Sequence, residues 1–270
     1  MKNWMKLSAA TSIAVLAACG GSIGNAALSK TFTYGAPTAA TTQESAAASS
    51  AQTQLSGTAG FSSAPGATNG AAVIAFADSL AASALGSAGV PMAVAPSGSG
   101  ISRALTNGDV YSTCTTVTAS SVTFNNCQIV SSGITVTISG SISVSANTVS
   151  WNISGGVSGT NATSGFTVNV AHQQSGSLTV TATKVTGDAV SRISGSVSGQ
   201  GQTMNFGVDS AVLVDLTYQA SPFCVTAGSV EVKRVWTLKP NGASGPPFND
   251  AAVKLSWTGC NVPVQVAHSQ

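Results

Sequence analysis

Residues 133–159 read GITVTISGSISVSANTVSWNISGGVSG, with Ile, Val, Trp or Gly at almost every second position and mostly Ser or Thr between them. Such alternation puts hydrocarbon on one side of a pleated strand and hydroxyls on the other. The pattern continues to the C-terminus. Ile134, Val136, Ile138, Ile142 and Val144 share one face, as do Val149, Trp151, Ile153 and Val157, then Phe166, Val168 and Val170. Met204, Phe206 and Val208 follow, then Val212, Val214, Leu216 and Tyr218, Val230, Val232, Trp236 and Leu238, and finally Val253, Leu255 and Trp257. Short Gly, Asn and Ser turns separate these runs, the signature of half-buried antiparallel strands. The pattern predicts an all-β domain over residues 70–270, an up-and-down antiparallel sheet of about nine or ten strands. The sheet is expected to be strongly coiled or a half-barrel, packed around a single N-terminal helix.

The helical period itself occurs in AAVIAFADSLAASAL, residues 71–85. Val73, Phe76, Ala77, Leu80 and Ala84 recur at threes and fours, and Gly86 and Pro91 close the run. Residues 19–69 are rich in Ala, Ser, Thr and Gly and predict a flexible tether with a reach of roughly 40 Å. Within it, KTFTYG over 30–35 alternates and is expected to lie along a sheet edge. A phrase recurs as ISGSIS from Ile138, ISGGVS from Ile153 and ISGSVS from Ile193, with Gly140, Gly155 and Gly195 on the apolar face. A turn centred on Asn147-Thr148 would set Gly140 opposite Gly155, where glycine permits close approach of backbones.

The first eighteen residues form a signal peptide: Lys2 and Lys6 precede a ten-residue apolar run, too short to span a membrane as a helix. Leu16-Ala17-Ala18-Cys19 resembles the lipobox of bacterial lipoproteins. That resemblance implies cleavage before Cys19, lipidation of its thiol and anchoring by acyl chains, and Gly20 after it implies the outer membrane. It covers the signal alone and says nothing of the mature domain.

Cys114, Cys127, Cys224 and Cys260 remain, an even number in an oxidising compartment. Four cysteines allow three pairings. A hairpin turning at Ser120-Ser121 favours Cys114 with Cys127, and a hairpin through KPNGASGPPFND favours Cys224 with Cys260.

Charge narrows the partners. Ten basic residues less Lys2 and Lys6 leave eight, against eight acidic ones, and no charge occurs from Val110 to Thr183. A neutral chain has no electrostatic case for nucleic acid. GGSIG at 20–24 matches a nucleophile motif but lacks the flanking strand and helix that the motif requires. His172 and His268 have no ligand at metal spacing, and no residue pair resembles an activated nucleophile, so no catalytic residue, metal or cofactor is expected. Two residues break the apolar frame: Arg234, between Val232 and Trp236, and Lys184, after Ala182. Either both sit at strand rims with their heads in water, or Arg234 guards the mouth of a partly open face and meets a headgroup or carboxylate.

Two functions follow as alternatives. One is a non-enzymatic, outer-membrane-anchored β-module that meets an envelope protein. The other is a carrier of an apolar or acyl ligand.

Overall fold

The computed structural model describes residues 25–58, 114–131, 133–161, 165–240 and 248–270. Cys19, the lipobox and the helix expected at 71–85 lie outside these residues.

The alternating segments form one antiparallel sheet of eleven strands that does not close into a barrel. Ten of them run as a meander: β2 (Thr115–Val117), β3 (Ser121–Ser131), β4 (Ile134–Ser145), β5 (Thr148–Thr160), β6 (Thr167–Val180), β7 (Lys184–Gly199), β8 (Gln202–Ala220), β9 (Phe223–Leu238), β10 (Ala251–Trp257) and β11 (Gln265–His268). The eleventh, β1 (Thr38–Ala39), comes from the N-terminal region and pairs with β11. Both outermost strands are two or three residues long, one of the ways a sheet blunts its edges.

Hydrocarbon gathers on one face as the alternation requires. Val122, Phe124, Ile142, Val149, Trp151, Leu178, Val185, Val212, Leu216, Val232, Leu255 and Trp257 belong to a single buried cluster. The register of the β4–β5 hairpin differs from expectation. Its two-residue turn is Ala146-Asn147, with Ala146 at φ 48°, so Gly140 faces Ile153 and Gly155 faces Ile138. Each glycine thus lets the backbone of the neighbouring strand come close at an isoleucine, not at another glycine. A Cβ at Gly140 would lie 2.8 Å from the Ile153 Cα.

The region expected to be a tether is ordered from Asn25 to Thr58. Helix α1 (Ala26–Ser29) lies on the outer, polar face, where Ala27 packs with Val190, Ala211 and Val235. Tyr34 bridges Ser269, and the Gly35 amide donates to the His268 carbonyl at 3.0 Å, so only the end of the KTFTYG stretch, Thr33 to Gly35, meets the edge beside β11, while Phe32 packs on the outer face. The chain then rounds that edge through β1 and enters α2 (Thr42–Thr58) on the apolar face. Ala48, Ala51 and Leu55, at helical spacing, join the main core. Thr41 and Glu44 start this helix with a reciprocal capping box: the Thr41 amide donates to Glu44 Oε2 at 2.8 Å, and the Glu44 amide donates to Thr41 Oγ1 at 3.3 Å.

Candidate functional site

The two cysteine pairs come together as the hairpin argument favoured. Cys114 and Cys127 are bridged with Cα atoms 5.3 Å apart, and Cys224 and Cys260 with Cα atoms 5.5 Å apart. The first hairpin is registered two residues away from expectation, with Thr115 opposite Phe124 in place of Asn126. A bulge between Phe124 and Cys127, with Asn126 at φ 51°, returns Cys127 to the inner face.

Arg234 and Lys184 are not brought together. Lys184 opens β7 and pairs with Asp215 at 2.9 Å, both side chains largely in water. Asp215 lies between the inward residues Val214 and Leu216, so alternation puts this ion pair on the outer face. Lys184 therefore takes the rim position and has no part in an inner site.

Arg234 does neither of the things its rim alternative requires. It sits in the body of β9 and is 3 % exposed. Alternation places it on the inner face with Val232, and its row continues through Ser210 of β8 to Ser191 of β7 and Gln174 of β6. The Ser191 and Ser210 hydroxyls are 2.6 Å apart, and Gln174 is buried. A polar row thus crosses four adjacent strands inside a mainly hydrocarbon face. Periodicity could not reveal it, because Ser and Gln at inward positions are masked by the hydroxyls that fill the outward ones.

Arg234 Nη2 donates to the Asn249 carbonyl at 3.0 Å. Its Nε and Nη1 are buried without a hydrogen-bond partner, and so is the indole Nε1 of Trp236, the next inward residue of β9. Burial pushes the guanidinium down, with Asp250 acting the other way. Asp250 is itself engaged: it accepts from the Trp236 amide at 2.8 Å and pairs with Lys30 at 2.6 Å. Trp236 leans against Phe248, ring centres 5.3 Å apart.

In the neighbouring row, His172 lies on the inner face opposite Ile193, and burial pushes its imidazole down to about 4. His268 meets Glu44 at 2.9 Å beside the start of α2, its side chain still 56 % exposed. Burial raises the Glu44 carboxyl, but the bonds from Thr41 and the nearby His268 outweigh it and hold the net value down.

The outer face carries a second polar cluster, which anchors α1. Asp209, 0 % exposed, accepts from Arg192 through both carboxylate oxygens at 2.8 Å and from the Ala26 amide at 2.7 Å. Asn25 caps α1 through its side-chain oxygen and donates its amide to the carbonyls of Ser191 and Ser210 at 2.9 and 3.1 Å. These bonds fasten the segment; they leave no open chemistry. Among the described residues, no group of three or more His, Cys, Asp or Glu side chains is placed to hold a metal. None of their helices is long and apolar enough to cross a membrane. Comparison with protein-family models, with curated proteins and with solved structures finds no match.

Proposed function

We propose that this protein is a non-enzymatic lipoprotein of the bacterial outer membrane, anchored through Cys19, whose β-domain meets another envelope protein by its sheet edge. The observation that supports it is the outer edge of β3. Strand β2 pairs with Val122 to Phe124 alone, so among the described residues Cys127 to Ser131 have a strand partner on one side only. That stretch has no charge to repel an incoming strand, and Val130 is 70 % exposed. An uncharged edge with an exposed β-branched residue suits strand addition by a partner. The two disulfides agree with an oxidising compartment.

Two measurements test this reading. Palmitate incorporation in cells is expected to vanish in Cys19→Ala. A photo-crosslinking residue at Val130 is expected to give a discrete adduct in cells, lost when Gln128 and Ile129 are changed to Lys. Retained palmitate or the absence of an adduct contradicts it.

A second reading, a carrier of an acyl chain, is favoured by one observation: a guanidinium is enclosed in the hydrocarbon face with donors unspent. A buried charge with donors left unpaired is costly, and strongly perturbed buried groups gather at functional sites.

A further inference from the structure

We propose that Arg234 Nε and Nη1, together with Trp236 Nε1, form an oxyanion site on the inner face of the sheet. It takes the carboxylate or phosphate head of an amphiphile whose hydrocarbon part lies along that face. The proposal rests on the carrier reading for the hydrocarbon part alone; the oxyanion part stands on the donors.

Arg234 and Trp236 are consecutive inward residues, and the pair presents three donor nitrogens without partners. The one bonded nitrogen, Nη2, donates to the Asn249 carbonyl, which fixes the plane of the guanidinium; Nε and Nη1 point to different sides of it, so the fork left open is the second N–H of Nη2 with one of them. A set of donors with no acceptor, around a buried positive charge, selects an anion over a neutral or cationic group. Asp250 does not fill the role, because Lys30 and the Trp236 amide already hold its oxygens. Ser210, opposite Arg234, adds a hydroxyl able to donate or accept. The neighbours are hydrocarbon: Val232 two residues along the strand, and Val253, which lies opposite Val232 in β10. Hydrocarbon walls strengthen the attraction for an oxyanion and accommodate an apolar body beside it.

The test uses the full chain carrying Cys19→Ala with its disulfides intact, titrated below micelle formation with dodecanoate, dodecyl phosphate, dodecanol and inorganic phosphate. Binding is read by tryptophan fluorescence and native mass spectrometry. The expected result is that dodecanoate or dodecyl phosphate binds, that dodecanol binds at least tenfold more weakly, and that Arg234→Met weakens the charged ligand at least tenfold. Whichever head binds more tightly identifies the source.

If inorganic phosphate binds in an Arg234-dependent way but neither amphiphile does, the oxyanion site stands and the carrier reading falls. If all three amphiphiles bind and Arg234→Met changes nothing, the carrier reading stands and the oxyanion site falls. No binding by the parent chain overturns both. Should Arg234→Met fail to fold, Arg234→Lys decides: it keeps the charge and loses the fork, so a several-fold loss for the charged ligand supports the site. Unchanged affinity in Arg234→Lys overturns it.

Discussion

At the scale of single residues, two inward positions make predictions that do not depend on any ligand. Gly176 lies opposite Trp151, and a Cβ there would come within 2.6 Å of the ring Cη2 and 2.8 Å of the Asp188 carbonyl. The carbonyl belongs to the backbone of the neighbouring strand and cannot rotate away. Gly176→Ala is therefore expected to destabilise the domain by about 1–3 kcal/mol, the usual cost of overpacking, measured by urea denaturation. His172 makes the second prediction. Its folded pKa of about 4 lies below the unfolded value of about 6.5, so between these values the unfolded chain binds more protons. Stability is full above about pH 6.5, declines as pH falls and stops declining on this account near pH 4. The loss is about 3 kcal/mol. His172→Gln is expected to flatten the pH dependence in that window; an unchanged slope shows that other groups cause it. The role of such glycines was half visible in the sequence. A glycine in an apolar frame announces a close approach, but which residue Gly140 approaches depends on a turn of two residues, Ala146-Asn147, that no Asn-Gly or Asp-Gly pair advertises.

At the scale of elements, the strands were legible and the segment before them was not. Period-two alternation is readable wherever one face is buried and the other wet, which holds from β3 to β10. The segment over 25–58 has no large apolar period. Its helix buries Ala48, Ala51 and Leu55, a stripe too thin to stand out among surrounding alanines. Its start signal was nevertheless present: Thr41-Thr42-Gln43-Glu44 is a capping box followed by good helix formers. The tether expectation weighed bulk hydrophobicity and overlooked the cap. Thr41→Ala removes one side of that box and is expected to cost about 1 kcal/mol, with faster amide exchange over the first turn of α2 and unchanged exchange in β6 and β7. Asp209→Asn acts on the outer face. It leaves Arg192 without its two-oxygen acceptor and weakens the hold on the Ala26 amide, so proteolysis within residues 25–36 is expected to quicken while the sheet stays resistant. If cleavage there does not change, the Asp209 cluster does not fasten the segment.

At the scale of the whole molecule, the fastening of Asn25 changes what an anchor at Cys19 would do. A free tether of some fifty residues would let the domain range roughly 40 Å from the bilayer. With Asn25 bonded to the carbonyls of Ser191 and Ser210, six Cα steps separate it from Cys19, a span of at most about 20 Å whatever their conformation. Under the anchor reading, the outer face over β7 and β8 is kept close to the headgroups. The inner face with Arg234 then points away from them, and a ligand of the proposed site would have to arrive from the far side. Energy transfer in proteoliposomes checks this geometry. A fluorescent residue replacing Leu28, an exposed residue of α1, is expected to transfer efficiently to a headgroup dye. A twenty-residue Gly/Ser insertion after Ser22 adds a reach of roughly 25 Å and is expected to lower that transfer sharply without altering the thermal midpoint. If the insertion leaves transfer unchanged, something other than the short link holds the domain at the membrane, and the orientation argued from Asn25 is lost while the sheet and its inner site stand.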